Sequence, residues 1–138
     1  FFKKTVYGNS GLILSVYEND INGTKEAYSY YKNGVIDYKY ELSPVLDRIK
    51  KTYYREGKIA NDVEYDLAGN KIKETGYLEG EIKNYTKFEY NETGKQVKKL
   101  NYNKDDSLER VYKYEYDDKG TIVRIKTYDS KGALIEYE

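Results

Sequence analysis

YEYDDKGTIVRIKTYD, which spans Tyr114 to Asp129, contains the pattern that sets the fold class of this chain. Two short runs rich in Tyr, Val, Ile and Thr flank the polar turn from Asp117 to Gly120. Aspartate favours the start of a tight turn, and glycine takes the positive-φ position that closes the turn without steric cost. Runs of this composition on both sides of such a turn predict an antiparallel β-hairpin.

The opening of this hairpin recurs along the chain. The pattern Tyr-[Asp/Asn]-x-x-Gly-x-x-[Ile/Val] begins at three tyrosines spaced by 25 and 26 residues, which are Tyr65, Tyr90 and Tyr116. A degenerate copy begins at Tyr40, with Pro44 in place of the glycine, and a further copy begins at Tyr7. Self-similarity at this period indicates a tandem-repeat architecture.

We therefore predict a single tandem β-hairpin domain over residues 1–138. Its repeats share the motif with decreasing clarity towards the N-terminus. The clearest repeats are 65–89, 90–115 and 116–138, and the degenerate repeats are 7–39 and 40–64.

Polar turns, mostly closed by glycine, follow one another mostly 10 to 14 residues apart. This spacing leaves room for roughly twelve short strands and for no long helix. The predicted fold class is all-β: an antiparallel β-meander of tandem hairpins, in a single-layer or curled, elongated sheet. We interpret Ser43–Lys51 as an irregular turn that leads into a strand.

The motif also predicts which side chains share a face, because side chains alternate along a strand. If the turn pairs Tyr116 with Thr121, then Val123 and Ile125 lie on the same face as the tyrosine. In each copy, the motif tyrosine and the Ile or Val three residues past the glycine are then predicted to be cross-strand neighbours. The opposite face carries mostly Lys, Glu and Arg.

Composition excludes several kinds of site. The chain has no Cys and no His, so it can form no disulfide, no thiolate metal site and no His-based catalytic dyad. Its 24 basic residues are balanced by 24 acidic residues, which argues against nucleic acid as a partner. No apolar run approaches the ~20 residues that a helix needs to span a bilayer. We expect no enzyme activity, no cofactor, no metal and no membrane insertion. The acidic pairs Asp105–Asp106 and Asp117–Asp118 are interpreted as turn residues rather than calcium ligands.

Three segments carry a resemblance to one of two protein families. YEYDDKGTIVRIKTYDSKGALIEYE, residues 114–138, resembles the YD repeats of bacterial RHS-type proteins. That resemblance implies strands strung into long sheets, in surface or secreted modules that serve toxin delivery, encapsulation or contact. YYKNGVIDYKY (Tyr30–Tyr40) and YYREGKIANDVEY (Tyr53–Tyr65) resemble the MORN-like repeats of YwqK-type antitoxins, which implies a cytoplasmic protein that binds one toxin.

Tyrosine dominates the apolar inventory, with 19 Tyr against 3 Phe and no Trp. Aromatic residues are enriched in binding hot spots, and the apolar face of a single-layer sheet needs a cover. We therefore expect a non-enzymatic binding or structural module of a bacterial surface or secreted protein, whose tyrosine-rich sheet contacts a protein or a cell-surface macromolecule. An antitoxin or immunity protein and a cell-wall glycan-binding module are the alternatives. The candidate binding residues are Tyr112, Tyr114, Tyr116, Tyr28, Tyr30 and Tyr31.

Overall fold

A computed structural model describes residues 1–20, 22, 26–43 and 48–137 of the chain. The described residues form twelve strands in one antiparallel sheet, whose spatial order is the order in the sequence. The sheet is not closed, so β1 and β12 form its edges, and the predicted all-β meander is confirmed. The strands are β1 Phe2–Tyr7, β2 Ile13–Asn19, β3 Glu26–Lys32, β4 Val35–Ser43, β5 Arg48–Arg55, β6 Lys58–Asp66, β7 Lys71–Leu78, β8 Glu81–Tyr90, β9 Gln96–Asn103, β10 Leu108–Tyr116, β11 Ile122–Asp129 and β12 Leu134–Tyr137.

The predicted turn around Pro44 lies outside the described residues, although β5 follows it as expected. Within the described ranges no helix is long and apolar enough to cross a membrane.

Three hairpins close with two-residue loops in which both residues have positive φ. These loops are Asn33–Gly34, Glu56–Gly57 and Glu79–Gly80. Positive φ at both positions is type I′ geometry, whose twist matches that of the flanking strands. The glutamates at two of these positions adopt a conformation that costs an ordinary side chain about 1 kcal/mol, so the strand pairing on either side must hold them there.

The motif turns have a longer loop. In the turn after β10, the amide of Gly120 donates to the carbonyl of Asp117 at 2.9 Å, and the amide of Asp117 donates to the carbonyl of Thr121 at 3.0 Å. The Asp117 carboxylate accepts the amides of Lys119 and Thr121, each at 2.9 Å. Asp66 and Asn91 begin turns with the same pair of backbone hydrogen bonds. The acidic residue thus initiates the turn as predicted.

The predicted register across these turns is wrong by one residue. Tyr116 pairs with Ile122, not with Thr121, and the pairing then shifts so that Glu115 faces Arg124. Val123 is the extra residue of a β-bulge and not the partner of the tyrosine. The same shift occurs where Tyr65 pairs with Lys71 and where Tyr90 pairs with Gln96. The left-handed Gly120 closes the turn so that the amide of Asp117 donates to the carbonyl of Thr121, which moves the partner of Tyr116 to Ile122. The bulge at Val123 follows Ile122 and shifts the pairing a second time.

The two faces of the sheet differ in composition. The tyrosine face carries Tyr28 and Tyr40 at one end and Tyr112 and Tyr114 towards the other. Ile125 lies on this face as predicted, and its cross-strand partner is Tyr114. We call the opposite face the lysine face.

Five buried side chains lie in one row across the lysine face, whereas Val63 and Thr127 are buried on the tyrosine face. Consecutive cross-strand pairs align Val16 with Ser29 and Thr52 with Asp62, and Asp62 in turn with Thr75. All five are buried, and Asp62 is only 2% exposed. Small and polar side chains therefore form the centre of this sheet, in place of a dry apolar core.

Candidate binding surface

Six tyrosines from four consecutive strands lie side by side on the tyrosine face. The register aligns them in two rows that cross the strands. One row joins Tyr17, Tyr28 and Tyr40, and the other joins Tyr30, Tyr38 and Tyr53. We call these six residues the tyrosine platform.

Ring contacts connect the platform from strand to strand. The rings of Tyr17 and Tyr28 lie 4.7 Å apart at an interplanar angle of 41°. The rings of Tyr30 and Tyr38 are stacked, with centroids 4.5 Å apart and an angle of 21°. Lys51 Nζ lies 4.6 Å from the centre of the Tyr38 ring and 4.8 Å from that of Tyr53. Each such aromatic pair contributes ~0.5–1.5 kcal/mol beyond its buried area.

This packing determines what the platform can bind. Tyr38 lies in β4, with the Tyr30 ring of β3 on one side and the Lys51 ammonium of β5 on the other. The faces of the Tyr38 ring are therefore occupied within the sheet. Its edge and its phenolic hydroxyl remain for a partner. Such a surface suits a protein better than a sugar, since sugars stack on free ring faces whereas protein partners use the amphipathic edges of tyrosines.

The platform is open to solvent and has a cationic centre. Tyr28 is 36% and Tyr30 38% exposed. Together with Tyr38, Tyr40 and Lys51 they line a shallow depression. A hydrogen bond to Tyr53 raises the pKa of Lys51 above its usual value, so this side chain stays charged at neutral pH. Within the described ranges Lys51 has no carboxylate partner, so the depression presents one ammonium group among phenols.

The tyrosines of β10 occupy the same face but are held more tightly. Tyr112, Tyr114 and Tyr116 are all half-buried. Burial raises the pKa of Tyr114, and the Tyr116 hydroxyl donates to the carbonyl of Gln96 at 2.6 Å. Lys99 Nζ lies 5.3 Å from the centre of the Tyr112 ring. The hydroxyl of Tyr116 is therefore committed to the fold, whereas the exposed Tyr30 of β3 can offer its hydroxyl to another molecule.

The structure separates the candidate residues on β3. Tyr28 and Tyr30 belong to the platform, but Tyr31 follows Tyr30 directly and lies on the lysine face, opposite Ile36. Four platform members, Tyr17, Tyr38, Tyr40 and Tyr53, were not among the sequence candidates. Tyr38 and Tyr40 show the alternate spacing that signals a shared face, but only the register reveals their neighbours on β3 and β5.

A buried polar cluster lies on the lysine face. One carboxylate oxygen of Asp62 accepts the Tyr77 hydroxyl at 2.7 Å and lies 3.1 Å from Lys50 Nζ. Its other oxygen, Oδ1, is buried without a hydrogen-bond partner among the described residues. The described residues contain no group of three or more acidic side chains that could hold a metal ion. The contacts of Asp62 with Lys50 of β5 and Tyr77 of β7 join three neighbouring strands at the centre of the sheet.

No protein-family model matches the chain, and no curated protein matches it significantly. Among solved structures, the crystal structure of TarM is similar at a TM-score of 0.32 and 9% sequence identity. The match covers 88% of this chain and 21% of that chain, so this chain spans about a fifth of the TarM chain it matches. A similarity this distant bears on neither the activity nor the partners of the chain.

Proposed function

We propose that this chain is a non-enzymatic tandem-hairpin module of a bacterial surface or secreted protein, and that its tyrosine platform binds a protein partner. The observation that carries the proposal is the series of ring contacts from β2 to β4, which Lys51 extends to the Tyr53 ring of β5, on an exposed face of an open sheet. Tyrosine combines a large contact area with a polar edge at low entropic cost, which is why binding surfaces are rich in it.

The size of the face supports a protein partner. Four strands at about 4.8 Å spacing, each about 20 Å long, present a face of roughly 400 Å². The adjoining residues Phe2 and Val6 of β1 extend it, and both are more than two-fifths exposed at 57% and 41%. A protein interface of standard size needs about 800 Å² on each partner, so the contact extends beyond the six tyrosines along the same face.

The experiment that tests the proposal is a capture experiment with the purified chain as bait, against lysate and envelope fractions of the organism that makes it. Four baits are compared: wild type, Tyr28→Ala/Tyr30→Ala, Tyr112→Ala/Tyr114→Ala and Tyr31→Ala. We expect one stoichiometric protein that wild type and Tyr31→Ala retain and that Tyr28→Ala/Tyr30→Ala loses. Circular dichroism of every variant checks that the sheet has formed.

Other results of the capture experiment would indicate a different binding surface or a different function. Loss only in Tyr112→Ala/Tyr114→Ala would move the binding surface to β10 and contradict the platform. Retention by cell-wall material alone, without a protein, would favour a glycan-binding module. A single tight cytoplasmic partner would favour an antitoxin or immunity role at the same surface.

A further inference from the structure

Five lysines lie on consecutive strands of the lysine face, from β7 to β11. The register places several of them directly opposite each other: Lys73 faces Lys87, and Lys113 faces both Lys98 and Lys126. We call these five residues the lysine strip. Like charges in directly opposed positions destabilise a sheet, so this arrangement works against the stability of the fold.

Carboxylates compensate only part of this charge. Lys98 pairs with Glu89 at 2.9 Å, and Lys126 pairs with Glu115. In the described part of the chain, the other three lysines have no carboxylate within 4.0 Å and lie over aromatic rings instead, although Glu64 is the cross-strand neighbour of Lys73. Lys73 Nζ lies 4.8 Å from the centre of the Tyr85 ring, Lys87 Nζ 5.4 Å from that of Tyr102 and Lys113 Nζ 4.9 Å from that of Tyr128.

Apolar side chains are interleaved with these amines. Leu100 lies directly between Lys87 of β8 and Val111 of β10, and both Leu100 and Val111 are half-buried. A partner on this surface therefore meets positive charge and apolar area together. A nucleic-acid backbone or an acidic polysaccharide matches the charge but has no apolar side chains to cover Leu100 and Val111.

We propose that the lysine strip docks an acidic protein segment that also carries apolar or aromatic side chains. The surface lies on the face opposite the tyrosine platform, so the inference is independent of the proposed function. Its basis is charge complementarity. The sheet keeps three amines without an ion pair at a cost in stability, and acidic side chains of a partner would supply the missing carboxylates.

Three polymers serve as probes in a binding titration at low salt: a random copolymer of glutamate and tyrosine, poly-L-glutamate and polyuridylate. We expect the copolymer to bind most tightly, with an affinity that falls as salt is added. The variant Lys73→Gln/Lys87→Gln/Lys113→Gln should weaken copolymer binding about tenfold. The matched control Lys104→Gln/Lys119→Gln/Lys131→Gln removes the same charge from exposed turns of the same half and should leave the affinity within about twofold.

Folding is checked in two ways. The glutamine variant of the lysine strip relieves like-charge repulsion, so it should be at least as stable to urea as wild type. The arginine variant, Lys73→Arg/Lys87→Arg/Lys113→Arg, keeps the charge and should retain copolymer binding. The inference is overturned if wild type binds none of the polymers, if polyuridylate binds as tightly as the copolymer, or if the strip and control variants lose affinity equally. Tyr30→Ala should leave copolymer binding unchanged, which separates this surface from the platform.

Discussion

The hydroxyl of Tyr116 donates a hydrogen bond of 2.6 Å to the main-chain carbonyl of Gln96, and Gln96 is the residue that pairs with Tyr90. The hydroxyl of Tyr90 in turn donates to the carbonyl of Lys71 at 2.7 Å, and Lys71 is the residue that pairs with Tyr65. The hydroxyl of each of these motif tyrosines therefore bonds to the strand that pairs with the motif tyrosine of the preceding repeat. The recurring tyrosine links successive turns at the same end of the strands.

The first prediction follows from these two hydrogen bonds. Tyr116→Phe and Tyr90→Phe should each lower the free energy of unfolding by about 1 kcal/mol, because each leaves a half-buried carbonyl without its partner. Urea unfolding followed by circular dichroism measures the change. The control is Tyr7→Phe, at a tyrosine that is 61% exposed. A loss in Tyr116→Phe no larger than in this control would show that the hydroxyl does not link the turns.

The motif glycines give a second prediction. Gly94 and Gly120 close equivalent turns with φ of +77° and +83°. A Cβ on Gly94 would meet nothing within 4 Å, whereas a Cβ on Gly120 would lie 1.7 Å from Lys95 Nζ. Gly94→Ala should cost about 1–2 kcal/mol from backbone strain alone. Gly120→Ala should cost more, since Lys95 must also leave its position over the Tyr116 ring, 5.2 Å from its centre.

Thermal unfolding of both variants measures this difference. Equal costs would show that the contact between Lys95 and Tyr116 contributes nothing measurable.

The buried cluster around Asp62 gives a third prediction. Asp62→Ala should lower the free energy of unfolding by about 2 kcal/mol, since it strips the Tyr77 hydroxyl of its acceptor inside the sheet. Tyr77→Phe should also destabilise, and the double variant should lose less than the sum of the two, with a coupling of about 1 kcal/mol. Asp37→Ala, at an exposed position of β4, is the control and should change stability by less than about 0.5 kcal/mol. Additive losses would contradict the 2.7 Å hydrogen bond.

A fourth prediction concerns alkaline pH. Burial, followed by the hydrogen bond to Asp62, raises the pKa of Tyr77, and the hydrogen bond to Asp106 raises the pKa of Tyr85 to about 12. In the unfolded chain both phenols titrate near pH ~10. Above that pH the unfolded state binds fewer protons than the folded state, so the free energy of unfolding should fall as pH rises towards the folded pKa values. Below pH ~10 the full stabilisation that comes from the raised pKa values of these two phenols is present.

Urea unfolding at a series of alkaline pH values measures this slope. Tyr85→Phe should make the slope shallower, because it removes one of the phenols whose pKa is raised in the folded state. Tyr7→Phe again provides the control, since Tyr7 is 61% exposed. An unchanged slope in Tyr85→Phe would contradict the role of the hydrogen bond to Asp106, which is 2.8 Å long.

The strands and turns could be predicted from the sequence because their signals are local. Aspartate at the start and glycine at the close of Asp117–Gly120 define that turn without reference to the rest of the chain. The strand register across this turn could be predicted only with one further inference. A glycine in the left-handed conformation closes the turn so that the amide of Asp117 donates to the carbonyl of Thr121, and this moves the partner of Tyr116 from Thr121 to Ile122.

The platform could not be predicted in full because it depends on which strands are neighbours and in what register. Tyr28 and Tyr30 were identified from their spacing, but their contacts with Tyr17 and Tyr38 come from β2 and β4. The position of Tyr31 was predictable, since adjacent residues in a strand point to opposite faces. Asp62 gave no signal, because only its place between Thr52 and Thr75 distinguishes it from the other acidic residues.

Binding by the tyrosine platform is tested by a calorimetric titration of the captured protein partner into wild type, Tyr30→Ala and Tyr31→Ala. The two variants remove the same side chain from adjacent residues on opposite faces of β3. Our account predicts that Tyr30→Ala weakens binding by about tenfold or more, while Tyr31→Ala stays within about twofold of wild type. Equal affinities for the two variants, or a larger loss in Tyr31→Ala, would contradict a binding surface on the tyrosine platform.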